Sequence, residues 1–135
     1  MSRLSPPSSY FCGGAADVSK LTNVIYVSAT LGTGSASCGA SLTHQCQTIP
    51  TGISRCSGTN CNVLVDYNTY SPTATITLAD GVSVYGGCLS QMPPDPTYFS
   101  LINAPPGGVP GVTATNTLTP TLFQGFTILG SDTTA

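Results

Sequence analysis

The chain has no Glu and no Trp, one His, and only three Lys and Arg residues in 135. Charged side chains make up 6% of it, where an ordinary soluble domain carries roughly a quarter. Hydroxyls and amides must therefore wet its surface. Three cations cannot track a phosphate backbone, which excludes nucleic acid as a partner, and an anionic membrane surface is equally unsuited. No apolar run approaches the ~20 residues of a membrane-crossing helix, so membrane insertion is not expected. Good helix formers (Glu, Lys, Arg, Gln, Met) are scarce while Val, Ile, Thr and Tyr are common, which points to strands and turns. Disorder is opposed by 40% hydrophobic residues and a net charge of only −2, because disordered chains pair low hydrophobicity with high charge.

What is present is Gly (15), Pro (11) and six cysteines, in a chain of the usual size for one domain. Metal sites usually announce themselves with two closely spaced cysteine pairs. No such pair of doublets occurs, and His44 stands alone, so disulfides are expected and no metal or cofactor. Disulfides imply an oxidising compartment, hence an extracellular or cell-surface location. The loop over residues 29–46 is long for a compact domain, and a Cys38–Cys46 bridge would pin it. Cys56–Cys61 and Cys12–Cys88 complete the proposed set, one choice among the many that six cysteines allow. No N-x-[ST] acceptor is present, so N-glycosylation is not expected.

Residues 1–22 are read as an N-terminal tail or irregular cap, rich in Pro, Ser and Gly and without an apolar run of signal-peptide length. The main domain is read as 23–135. Strands are expected at 23–28, 62–67, 74–78, 82–85, 98–102, 112–118 and 122–129, where apolar runs or alternation with period two lie between Gly, Pro and Asn clusters. Ile49 and Ile53 are four apart and Pro50 suits a first turn, which marks 47–56 as a short helix. Asp80-Gly81 is either a tight hairpin turn or a solenoid corner where the chain bends without reversing. The pattern as a whole fits a β-sandwich or a β-solenoid.

No catalytic set is legible, and the reading leans away from an enzyme. The five aspartates, Asp17, Asp66, Asp80, Asp95 and Asp132, are scattered singly, so paired-carboxylate hydrolysis lacks its partners. His44 has no carboxylate near it in sequence to orient it as a base. Arg55 stands at the end of the expected helix, where a cation complements the terminal carbonyls. Gly86-Gly87 lacks the context of a nucleotide site. Tyr67, Tyr70 and Tyr85, with Asp66, are the candidates for contact with sugar rings, against the alternative that each tyrosine packs in the core or at a turn.

The run from Val24 to Gly87 resembles the N-terminal part of right-handed parallel β-helix proteins of the pectate-lyase-like class, including relatives of the polymorphic outer-membrane proteins. The likeness lies in the order of VIYVS, a Gly/Ser loop with CG, CQTIPTGI, NVLVDYNTYS and ITLADGVSVYGG; LFQGFTIL further on is similar to the strand of a following rung. It covers about half the chain well. Asn68 departs from the pattern, standing where the family often has Gly before Thr-Tyr; Asn tolerates left-handed conformations.

The resemblance implies an all-β solenoid of about three rungs with a short N-terminal capping helix, each rung stabilised by its neighbours. Val27, Ile49, Ile53, Leu64, Ile76, Leu78, Val84, Phe126 and Ile128 would point inward. It also implies a non-catalytic structural or adhesive surface protein that stacks end to end with other copies or with a longer β-helix. The alternative it leaves open is a domain that binds or cleaves polysaccharides. Enzymes on this fold use clustered carboxylates, calcium-binding Asp groups, or an Arg or Lys base.

Overall fold

Runs rich in β-branched and aromatic residues become strands, and most of them lie in parallel against a strand from another part of the chain. The computed structural model describes residues 6–7, 9–13, 16–57, 60–90, 95, 97–114, 118 and 121–130. Eleven strands and one helix follow in order among them. They are β1 (Tyr10–Cys12), β2 (Ala16–Asp17), β3 (Val24–Val27), α1 (Ile49–Ser54), β4 (Cys61–Asp66), β5 (Thr69–Tyr70), β6 (Ile76–Leu78), β7 (Val82–Ser90), β8 (Ser100–Asn103), β9 (Val112–Ala114), β10 (Phe123–Gln124) and β11 (Phe126–Leu129).

The pairing is mostly parallel. β3 lies on β4, β4 on β7 and β7 on β10, so that Ile25, Val63, Val84 and Phe123 stand in one column across four strands. A second sheet runs β5, β8, β11 and stacks Tyr70, Ile102 and Ile128. A third holds β6 against β9, with Ile76 opposite Val112. Thus β4, β5 and β6 are matched in turn by β7, β8 and β9. The three sheets do not close into a complete solenoid, since the third has only two strands.

Strand alternation sends neighbouring side chains to opposite faces, and both faces of the first sheet are buried. One face (Ile25, Val27, Val63, Val65, Val84) joins Ile49, Tyr70, Ile76, Leu78 and Ile102 in the main core. The other (Val24, Tyr26, Leu64) is covered by Tyr10, Cys12 and Val18. Leu64, expected in the main core, is therefore buried on the opposite side, because it lies between Val63 and Val65. Ile53 and Phe126 are only partly buried against the main core. Ile128 stacks on buried Ile102 but is 43% exposed, and no further strand among the described residues covers it.

The N-terminal segment is more than a tail. β1 pairs antiparallel with the far end of β7, Phe11 opposite Leu89, and Cys12 is bonded to Cys88. Covering the outer face of the sheet is what this segment gains. The other disulfides are Cys38–Cys46 and Cys56–Cys61, the pairing expected from the sequence. Asp80-Gly81 is a corner: β6 and β7 belong to different sheets, and Gly81 takes φ 75° between them. Asn68 does not use the left-handed region. Its Oδ1 instead accepts from Thr69 N (3.0 Å) and its Nδ2 donates to Thr30 Oγ1 (3.3 Å), holding the turn. The strand expected over 112–118 is formed over Val112–Ala114; residues 115–117 lie outside the described residues.

At one end of the stack the first sheet is capped. The edge of β3 is taken by the 29–46 loop, with Tyr26 N donating to Gly39 O (2.9 Å), Ser28 N to Cys46 O (2.8 Å) and Cys46 N to Tyr26 O (2.8 Å). α1 then covers the core. It begins at Thr48, whose Oγ1 accepts from Thr51 N (3.3 Å), with Pro50 in the first turn as expected. Arg55 donates from Nε to Cys38 O (3.3 Å), which ties the helix end to the loop, and its backbone N–H donates to Thr51 O and Gly52 O (3.1 Å each) at the end of the helix. Gly52 is where α1 touches β3, and a methyl group there would overlap Val27 Cγ2. Gly52→Ala is expected to cost about 1–3 kcal/mol by overpacking, despite its better helix propensity. Gly34→Ala, with open space around it, should stay within about 0.5 kcal/mol. Denaturant unfolding of both variants checks this.

Candidate functional site

The polar side chains nearest the core gather where the first sheet turns into the second. Asp66 closes β4, and its Oδ2 accepts from Ser28 Oγ (3.0 Å). Its backbone carbonyl accepts from Tyr70 OH (3.1 Å) and Ser100 Oγ (2.7 Å). Each of these hydroxyls also accepts one bond: Ser28 from Leu31 N (3.1 Å), Tyr70 from Ala29 N (3.3 Å), Ser100 from Gly87 N (2.7 Å). Most buried polar groups in folded proteins are paired in this way. Burial raises the Asp66 carboxyl above its ordinary range, opposed by the bonds from Ser28 and Tyr67 N. Burial also pushes the Tyr70 phenol far up. The arrangement splices three layers of chain together; it contains one carboxyl group and no second one with which to share acid and base roles.

The three tyrosines singled out for sugar contact are not brought together. Tyr67 is exposed and meets Tyr98 edge to face, ring centroids 4.8 Å apart. Tyr70 is in the main core. Tyr85 lies on the opposite face of β7 from Val84 and packs beside the cluster of Tyr26 and Leu64. The Tyr67–Tyr98 pair was not legible in the sequence, because the loop between them conceals the register that joins β5 to β8.

A groove the sequence did not announce lies between the start of α1 and the β5–β6 turn. Two adjoining hollows of about 190 and 420 Å³ share Thr48, Pro50, Ser71 and Pro72 as walls. The smaller has Ala29, Ile49, Tyr70 and Ile76 beneath it, and Thr73 and Thr75 edge the larger. No ionisable group other than the buried Tyr70 lines it. Such a surface offers van der Waals contact and hydroxyl hydrogen bonds, which suits a neutral ligand better than an ionic one. Its walls come from segments some twenty residues apart in sequence, so no local motif marks it.

Two of the other carboxylates serve turns. Asp17 and Asp95 accept from the hydroxyls and backbone N–H groups of Ser19 and Thr97, which lowers both carboxyls below the usual range. His44 Nε2 lies 3.3 Å from Ser37 Oγ in the pinned loop. Asp132 is outside the described residues. Among the described residues, no three His, Cys, Asp or Glu side chains gather as a metal site, and no helix is long and apolar enough to cross a membrane. Comparison with known families, with curated proteins and with solved structures finds no match in any of the three.

Asp66 sets a pH dependence. Because its carboxyl is raised when folded, the native state holds the proton more tightly than the unfolded chain above the ordinary value of 3.8. Its contribution to stability is full below that value and is lost as pH rises through the folded pKa. Asp17 and Asp95 act in the opposite sense, contributing above 3.8 and losing that contribution as pH falls below it. Asp66→Asn, which keeps an acceptor for Ser28, is expected to flatten the decline above 3.8 and leave the acid side unchanged. Denaturant midpoints measured across that range check the difference between the two proteins.

Proposed function

We propose that this chain is a non-catalytic, extracellular or cell-surface structural and adhesive protein, built on a right-handed parallel β-helix of the pectate-lyase-like kind. The observation that carries the reading is the matched order of strands, β4, β5 and β6 lying in parallel register against β7, β8 and β9. A coil that repeats in this way supports β-helix architecture, and the general preference of parallel crossovers supplies the right hand. Three disulfides support an oxidising, secreted setting. A surface rich in Thr and Ser and poor in charge suits lasting contact with other surfaces, because few charges have to be desolvated.

The second reading is a carbohydrate-binding or polysaccharide-cleaving domain. What favours it is the groove walled by Thr48 and Ser71, and the exposed Tyr67 against half-buried Tyr98, both of which suit the hydroxyls and C–H faces of a neutral sugar. Its catalytic form is disfavoured by the isolation of Asp66. Incubation with acidic and neutral polysaccharides is expected to release no new reducing or unsaturated ends. Release of such ends would overturn the non-catalytic reading, and resonance shifts confined to Thr48, Ser71 and Tyr67 on adding neutral oligosaccharides would favour the second.

A further inference from the structure

We propose that the groove between α1 and the β5–β6 turn takes up an extended, uncharged segment of another polypeptide, which adds to the edge of β5 as a further strand of the second sheet. The proposal deepens the structural and adhesive reading above by naming a docking surface and the kind of partner that fits it, and it rests on that reading.

The first and second sheets are unequal on the capped side. β4, β7 and β10 of the first sheet are each followed by a strand of the second, β5, β8 and β11. β3 is not. Residues 28–57 are all described, and after β3 they form the pinned loop and α1 without entering the second sheet. The loop bonds the edge of β3 and α1 packs against β6, whereas beside β5 the chain leaves a hollow of about 190 Å³. One water requires only ~10–15 Å³.

The backbone there is set for a strand. Leu101 N donates to Asn68 O (2.9 Å), and Thr69 stands opposite Leu101 in parallel register. Alternation along the strand then directs the C=O of Thr69 and the N–H of Ser71 away from β8. Neither group has a partner among the described residues, and both residues line the hollow. An added strand running beside Tyr70 donates to the first and accepts from the second.

The side chains select the partner. Buried Ile49, Tyr70 and Ile76 form the floor. Tyr70 begins the column that Ile102 and Ile128 continue, so an aliphatic side chain of the added strand extends that column. No charged side chain lines the groove, and a charged segment would lose its water there without gaining a partner. A sugar is served less well. The hydroxyls of Thr48, Tyr70, Ser71 and Thr75 already bond within the chain, while the backbone groups of Thr69 and Ser71 remain to be matched.

The test titrates the full, disulfide-intact chain with a synthetic peptide of the β8 sequence, Tyr98 to Ala104, carrying added lysines at its end for solubility. The same peptide N-methylated along its backbone serves as the control. The expected result is saturable binding that shifts the amide resonances of Ala29, Thr69 and Ser71, gives nuclear Overhauser effects between peptide and Tyr70 backbone, and is lost on N-methylation. Ser71→Pro removes the outward donor, and Ala29→Leu fills the hollow. In variants whose circular dichroism remains native, affinity should fall roughly two- to tenfold for the first and about tenfold or more for the second. Absence of binding overturns the proposal, as do equal binding of the N-methylated peptide, shifts centred on β11, or unchanged affinity in either folded variant. Neutral oligosaccharides shifting the groove in place of the peptide overturn it too. Absence of peptide binding without polysaccharide turnover would defeat the docking alone, whereas turnover would defeat the structural reading on which it rests.

Discussion

The fold depends on parallel register between successive strands of the first sheet. Ile25, Val63 and Val84 stand directly over one another and are fully buried, with Phe123 next in the column. Each buried aliphatic side chain of this kind contributes on the order of 1.5–3 kcal/mol, and it does so only while its neighbours above and below keep step. A shift of one residue in any strand would turn its inner face outward. Tyr70, Ile102 and the hydroxyl bonds around Asp66 transmit the same register to the second sheet, because each ties one layer of chain to another far away in sequence.

Stacked strands leave two ends, and this chain treats them differently. At the first, a loop fixed by Cys38–Cys46 bonds the edge while α1 covers the core, and Arg55 joins helix to loop. At the other, side chains of interior character, Phe126 and Ile128, meet an edge with no second strand among the described residues. The N-terminal hairpin solves a separate problem. It covers the outer face of the sheet, where Tyr26 and Leu64 would otherwise be exposed, and the Cys12–Cys88 bond anchors it.

Much of this was legible in the residues, and the failures have physical reasons. The β-branched runs around Ile25 and Val63 carried their strands, and Ile49, Pro50 and Ile53 marked the helix within a few residues. Tyr10–Cys12 was not legible because three residues carry too little periodicity, and their partner is the distant end of β7. Asp80-Gly81 was ambiguous because a hairpin and a corner ask the same of a local turn; only the partners of Ile76 and Val84 distinguish them. Leu64 and Ile128 were read as inward. The first faces a second core that strand alternation alone cannot reveal, and no layer among the described residues covers the second. The groove and the Tyr67–Tyr98 pair arise from segments joined only by register, so they had no sequence signature.

Cross-strand backbone contacts in solution test the central claim most directly. Nuclear Overhauser effects measured on uniformly labelled protein should link Val84 to Val63 on one side and to Phe123 on the other, and Ile76 to Val112, each with the spacing of parallel strands. Contacts pairing Ile76 with Val84 as antiparallel neighbours, with none between Val63 and Val84, would contradict the account.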